Sequence, residues 1–158
     1  MKSEALVTNQ DSRALASVAA VGLTIDQHPA IGYLSALRTA GGRRVQTQAL
    51  ASVARLLRHE LAETPHQAAI LAIEWHQLNN AHVKAIATSL AALHSPKTAN
   101  RKLDAVRGVL RQAWLNGLMS RDEYERAIKV ERVPGSRLLR GRDVSSGEIR
   151  ALFDSCAR

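Results

Sequence analysis

Apolar and polar residues separate most clearly between Ser95 and Met119, where apolar positions recur every three or four residues. At about 100° per residue, such spacing predicts one long amphipathic helix. Ser95 followed by Pro96 is a typical helix start, and Gly117 is a typical residue just past a helix end. Lys102 lies near the apolar side, and we expect its ammonium to reach outward to solvent. The apolar arc comprises Ala99, Leu103, Val106, Leu110, Ala113 and Trp114, and the opposite arc comprises Lys97, Asn100, Arg101, Asp104, Arg107, Gly108 and Arg111.

Helical spacing and start signals recur along most of the remaining chain, and no segment shows the alternation of a strand. Asn79 or Asn80 is expected to cap one helix. Capping boxes at Ser120–Glu123 and Ser145–Glu148 are expected to begin two more. The fold class predicted is all-α, a compact bundle of four to five helices with one further helix at the end. The other predicted helices span about 28–41, 46–61, 65–75, 80–93, 121–128 and 146–157.

Changes in composition divide the chain into four parts. Residues 1–27 have little to bury and are predicted to be a variable N-terminal arm. The helical domain is predicted over 28–130. Residues 131–144 contain proline, glycine and arginine without any period, which predicts a basic linker. The apolar side of the last helix, within 145–158, has few predicted partners in this chain.

The charge balance points to a polyanionic partner. The formal net charge is +8 and the pI is about 10.5, and residues 95–158 hold 14 of the 22 Lys and Arg against 8 acids. Cys156 is the only cysteine, so no intrachain disulfide is expected and a reducing compartment is favoured. No apolar run is long enough to span a membrane, and the N-terminus lacks the features of a signal peptide. We therefore expect a cytoplasmic protein.

No constellation of residues suggests an active site. The six histidines lack metal-ligand spacing, and one cysteine cannot assemble a zinc site. Glu123 and Glu125 are expected to be solvated charges on a short helix. Neither a metal, a cofactor nor a small-molecule ligand is expected.

The polar arc of the long helix favours nucleic acid. Its cations stand one or two turns apart with only Asp104 available to pair with them, which suits a phosphate backbone. Asn100 and the arginines have the donors needed to reach base edges. Two other interpretations remain open: an ordinary solvated helix face, and a basic all-helical interaction module that binds RNA or an acidic protein.

Several segments, taken in order, resemble tyrosine recombinases of the phage-integrase type. They match the core-binding domain of that family and the first helix of its catalytic domain, over about residues 28–158. The segments are Y-L-S-A-L (33–37), Q-T-Q-A-L-A-S-V-A-R-L-L (46–57), W-H-Q-L (75–78), T-A-N-R-K-L-D-A-V-R-G-V-L-R-Q-A-W-L-N-G-L-M (98–119), R-A-I-K-V-E-R-V-P-G (126–135), G-R-D-V-S-S-G-E-I-R-A-L-F (141–153) and D-S-C-A (154–157).

The resemblance implies a SAM-like helical bundle that forms half of a clamp around double-stranded DNA at a recombination site. In that family the second and fourth bundle helices face the major groove, which here are the helices near 46–61 and 96–116. The full-length parent is expected to oligomerise on DNA. The DNA-binding positions implied are Arg43, Arg44, Thr47, Lys97, Thr98, Asn100, Arg101, Arg107 and Arg111, with linker contacts from Arg137, Arg140 and Arg142.

The chemistry of that family is not matched in this sequence. It requires an arginine, a lysine, a His-x-x-Arg set, a further His or Trp and a tyrosine nucleophile, all in the catalytic domain. Tyr33 and Tyr124 fall inside the helical bundle and do not match the nucleophile. We therefore expect a truncated chain that binds DNA but does not cleave or join it alone.

Overall fold

A computed structural model describes residues 25–135 and, beyond them, only residues 145, 147, 148 and 150. Within residues 25–135 the chain forms six α-helices and three single 3₁₀ turns, and no strand. The predicted all-α bundle is therefore confirmed. The helices are α1 (Pro29–Ser35), α2 (Ala40–Leu57), α3 (His66–Leu71), α4 (Asn80–Leu93), α5 (Pro96–Leu115) and α6 (Arg121–Ile128), and the 3₁₀ turns are Ile25–Gln27, His59–Leu61 and Trp75–Gln77.

Helix α5 is the centre of the bundle. Helices α1, α2, α4 and α6 and the 3₁₀ turn that begins at Trp75 all pack against it. The predicted apolar arc is buried, apart from Trp114, which is only partly covered. Ala105 and Val109 are also buried, so the buried side is wider than the arc that the sequence pattern selected. A helix contacted from several sides needs this wider apolar surface.

The predicted caps at the starts of α4 and α6 are present. The Asn79 side chain accepts a hydrogen bond from the backbone N–H of His82 at 3.1 Å. Ser120 Oγ accepts from the backbone N–H of Glu123 at 3.2 Å, and the Glu123 carboxylate accepts from the Ser120 N–H at 2.7 Å. Each cap satisfies backbone donors that the first turn of a helix leaves unpaired.

The two ends of α5 differ in how closely they follow the sequence prediction. Gly117 adopts a positive φ of 73°, as expected just past a helix end. Ser95 occupies the N-cap position, but its hydroxyl contacts Thr98 Oγ1 at 3.2 Å and caps no backbone N–H. The start of α5 therefore depends on Pro96 and on packing.

The first helix was predicted to run from about 28 to the glycine pair Gly41-Gly42, and this prediction is wrong. Helix α1 stops at Ser35, and Gly41 and Gly42 belong to the first turn of α2. The reason is Thr39, whose hydroxyl accepts a hydrogen bond from the Gly42 N–H at 3.0 Å and starts α2 at Ala40.

Two further helices end earlier than predicted. Helix α2 ends at Leu57 because Arg58 is extended (φ −137°, ψ 97°), and residues 59–61 form a separate 3₁₀ turn. Helix α3 ends at Leu71 rather than near Trp75. Trp75 is fully buried, and its Nε1–H donates to the Ile70 carbonyl at 2.9 Å. This contact draws the chain back across the end of α3.

Residues 131–135, assigned by the sequence to a linker, lie against α5. Residue 130 contacts α5 at position 107, residue 132 at position 104, residue 133 at position 100 and residue 135 at position 96. The 130–135 segment thus runs antiparallel to α5 as far as its N-terminus. Val130 and Val133 also pack against the core. The bundle therefore extends five residues beyond the predicted boundary at 130.

The predicted arm and the last predicted helix are described only in part. Asn116 donates a hydrogen bond to the Gln27 carbonyl at 3.0 Å, so the bundle includes the turn that precedes position 28. Residues 147, 148 and 150 are helical, and the Glu148 carboxylate accepts from the Ser145 N–H at 3.0 Å, as the predicted capping box requires. Residues 1–24 and the remainder of 136–158 lie outside the described residues. No helix found in the described part is long and apolar enough to cross a bilayer.

Candidate nucleic-acid interface

The nine predicted DNA-binding positions on α2 and α5 fall into two groups. Four are exposed cations that have no hydrogen-bond or ion-pair partner within residues 25–135. The other five already hold contacts inside the protein. The exposed group is Arg44, Lys97, Arg101 and Arg111, and the engaged group is Arg43, Thr47, Thr98, Asn100 and Arg107.

The exposed cations of α5 share one side of the helix. Lys97 and Arg101 are one turn apart, so their Cα atoms are separated by about 6 Å along the axis. Arg111 lies ten residues beyond Arg101, or about 15 Å along the axis. These three side chains therefore present positive charge along most of the helix.

Asn100 is not free to read bases. Its Nδ2 donates to the Val133 carbonyl at 3.0 Å, and its Oδ1 accepts from the Val133 N–H at 2.9 Å. Both ends of the amide are thus used to hold the backbone of the 130–135 segment. The sequence pattern placed Asn100 on the polar arc correctly, but its partner lies 33 residues away and left no local signal.

The 130–135 segment also contacts the side chains of Arg107 and Asp104. Arg107 donates to Asp104 Oδ1 at 3.0 Å and to the Val130 carbonyl, and its side chain is only 22% exposed. Arg132 pairs with the same carboxylate at 2.8 Å. Asp104 is therefore paired with Arg107 of the same helix and with Arg132 of the 130–135 segment, and the exposed cations of α5 have no acidic partner within residues 25–135.

The predicted cluster at the start of α2 is likewise split. Arg43 donates to the Leu37 carbonyl at 2.8 Å and so fixes the connection between α1 and α2. The Thr47 hydroxyl donates to the Arg43 carbonyl at 2.8 Å, one turn back in the same helix. Arg44 alone points into solvent without a partner in the described part of the chain.

Lys102 differs from the expectation that its ammonium reaches solvent. The residue is 8% exposed, and its Nζ lies 2.6 Å from Ser52 Oγ on α2 and 2.7 Å from His94 Nε2 after α4. Burial lowers the pKa of the Lys102 ammonium, and the neighbouring positive charge of Arg101 lowers it further. Burial and then the charge of Lys102 lower the pKa of His94.

The contact between Lys102 and Ser52 joins the two predicted DNA-facing helices. Arg44, Gln48 and Ser52 are four residues apart, so they form one row along α2. Ser52 ends this row against Lys102, beside the exposed Arg101. The structure thus brings the Ser52 end of the Arg44 row against the N-terminal half of α5, and we call this junction of the two helices the seam. Sequence analysis did not select Ser52 or His94, because no local pattern marks either residue. Only their contacts with Lys102 in the folded chain identify them.

Both tyrosines pack within the bundle. Tyr33 covers Gly108, where an added Cβ atom would overlap the Tyr33 ring, so this part of the polar arc is closed. Burial and then the charge of Asp104 raise the pKa of Tyr33. Tyr124 stacks on Trp114 with ring centroids 5.4 Å apart.

Two further points concern possible ligands. Among the residues that the structure describes, no three His, Cys, Asp or Glu side chains are grouped closely enough to hold a metal ion. The predicted linker contacts Arg137, Arg140 and Arg142 lie outside the described residues.

Comparisons with protein-family models, with curated proteins and with solved structures found no match for this chain.

Proposed function

We propose that this chain binds double-stranded DNA through the exposed faces of α2 and α5, as the core-binding part of a site-specific tyrosine recombinase. The observation that carries the proposal is a set of four exposed cations on these two helices that have no hydrogen-bond or ion-pair partner within residues 25–135: Arg44, Lys97, Arg101 and Arg111. Exposed cations without acidic partners suit a ligand that brings many negative charges. The resemblance of the sequence to tyrosine recombinases also implies that these two helices face DNA.

The dimensions of α5 and the cations beside it suit double-stranded DNA. The major groove of B-DNA is about 12 Å wide and admits one α-helix, while neighbouring cations contact the phosphates at its edges. In this arrangement Lys97 binds a phosphate near the start of α5, and Arg101 contacts either a phosphate or the edge of a base. Gln48, exposed between Arg44 and Ser52, offers an amide of the kind that pairs with adenine.

The internal contacts assign a different role to the engaged residues. Asn100 and Arg107 hold the 130–135 segment against α5, so they support the interface and do not touch DNA. Tyr33 and Tyr124 serve packing, and no step of strand cleavage is assigned to them. The proposed role of the described residues is therefore recognition and clamping of DNA during recombination or integration.

The test is a titration of the chain with a fluorescent duplex of about 25 base pairs at about 50 and 200 mM salt. The wild type is expected to bind with a steep salt dependence. Arg101→Ala should weaken binding by about 1–3 kcal/mol if the side chain reads a base, or reduce the salt slope by about one if it meets only phosphate. Arg44→Ala should behave similarly.

Arg121→Ala is the matched control. It removes one exposed positive charge from α6, where the guanidinium is already paired with Glu125 at 2.7 Å. Its binding should equal that of the wild type. The proposal fails if the wild type does not bind duplex at the lower salt, or if all three variants bind equally well. Preferential binding of RNA or of an acidic protein would instead favour the alternative interaction module.

A further inference from the structure

The Lys102 cluster, formed by Lys102, Ser52 and His94, is short of negative charge. Lys102 Nζ contacts a hydroxyl and an imidazole, both uncharged, and none of the ion pairs within residues 25–135 involves Lys102. An ammonium that loses part of its hydration is costly without a carboxylate, because uncharged neighbours do not replace that hydration in full. Arg101, next in the chain and without an ion pair in the described part of the protein, adds a second positive charge. The cluster therefore has donors and positive charge but no anion.

The position of the cluster suggests the source of that anion. Ser52 ends the exposed row of α2, and Lys102 lies on α5 beside Arg101, so the cluster sits at the seam between the two helices. Both hydrogen bonds of Lys102 are only partly buried, which leaves the ammonium at the rim. The Ser52 hydroxyl accepts from Lys102, and its own hydrogen remains available to a further acceptor.

We infer that Lys102 and Ser52, with His94 holding the ammonium in place, bind one backbone phosphate of the duplex at the seam between α2 and α5. This inference rests on the proposed DNA-binding function and identifies a contact that the sequence pattern did not predict. The phosphate supplies the negative charge that the cluster lacks. The ammonium and the hydroxyl donate to its oxygens, and the Arg101 guanidinium stands beside them.

The inference predicts an unusual combination for Lys102→Met. Methionine has a similar length and no charge, so the variant loses a partly buried cation that has no ion pair within residues 25–135, and it should fold with an equal or higher melting temperature. Duplex binding should nevertheless weaken. Loss of one phosphate contact removes about 0.9 from the salt slope, which corresponds to about 15-fold weaker binding at 50 mM salt and about fourfold at 200 mM, if the two proteins bind equally at 1 M.

Ser52→Ala tests the contribution of the Ser52 hydroxyl separately from that of the Lys102 charge. It should weaken duplex binding about two- to tenfold at both salt concentrations and leave the slope unchanged, because no cation is lost. Lys129→Met is the charge-matched control. Lys129 follows α6, and its carbonyl accepts from Asn80 at the start of α4, about 20 Å along that helix from His94. Its slope should equal that of the wild type.

The experiment measures duplex affinity for the full chain and these variants at four salt concentrations, with melting temperature by circular dichroism. A slope reduced by about one in Lys102→Met alone supports the inference. If Lys102→Met keeps the wild-type slope, the cluster only ties α2 to α5 and the inference is overturned. Lys102→Gln replaces the methionine variant if that variant fails to fold. Failure of the wild type to bind duplex would instead refute the proposed function itself.

Discussion

Acid should destabilise this fold through His28, which precedes α1. The side chain is 3% exposed, and burial lowers its pKa from 6.5 to about 4. A hydrogen bond with the backbone of Ile73 partly opposes this shift, and the nearby His76 adds to it. Nδ1 is buried and has no hydrogen-bond partner among the described residues, so a proton there would place an unpaired N–H in the core.

The sign of the change in the free energy of unfolding depends on which state, folded or unfolded, binds the His28 proton more tightly. In the unfolded chain His28 has its ordinary pKa near 6.5, so the unfolded state takes up a proton first as the pH falls. The neutral, buried ring is therefore fully tolerated above about pH 6.5, and stability is lost as the pH falls towards 4. With these two pKa values, the free energy of unfolding falls by about 2 kcal/mol between pH 7 and 5, and by about 3 kcal/mol by pH 4.

The assay is urea denaturation of the wild type and His28→Gln at several pH values from 7 to 5. Glutamine keeps a donor for the Ile73 backbone but does not titrate. The variant should be less stable at pH 7 and should lose about 2 kcal/mol less than the wild type on acidification. His59→Gln, at an exposed position, is the control and should follow the wild type. Parallel losses in the wild type and His28→Gln would refute the reasoning.

Two matched pairs of substitutions test the packing and the caps by thermal denaturation. Gly108→Ala should destabilise the fold by about 1–3 kcal/mol, since its Cβ would overlap Tyr33. Gly41→Ala meets nothing within 4 Å and should be neutral or stabilise α2 by up to about 1 kcal/mol, so equal losses would contradict the geometry. Ser120→Ala should cost about 1 kcal/mol because it removes a backbone cap, whereas Ser95→Ala, which removes none, should cost less. Equal costs for the two serines would mean that the Ser120 hydrogen bonds add nothing to stability.

Much of the helical architecture was predictable because its signals are local. The apolar arc of α5 followed from a repeat of three to four residues, and each capping box joins residues three positions apart. Gly117 ends α5 by a backbone conformation that glycine favours over any other residue. Prediction failed where two local signals competed. At the start of α2 the Thr39 cap outweighed the Gly41-Gly42 pair, and the helix began before the glycines.

The sequence by itself determined which side of α5 faces the core, and that the other side carries positive charge. Only the tertiary structure decided which polar residues remain available. Asn100 is taken by Val133, 33 residues away, and Lys102 by Ser52, 50 residues away. Periodicity reports the angle of a side chain about its own helix axis and carries no record of which distant backbone or hydroxyl packs there. The exposed cations and the anion-deficient seam are therefore properties of the folded bundle.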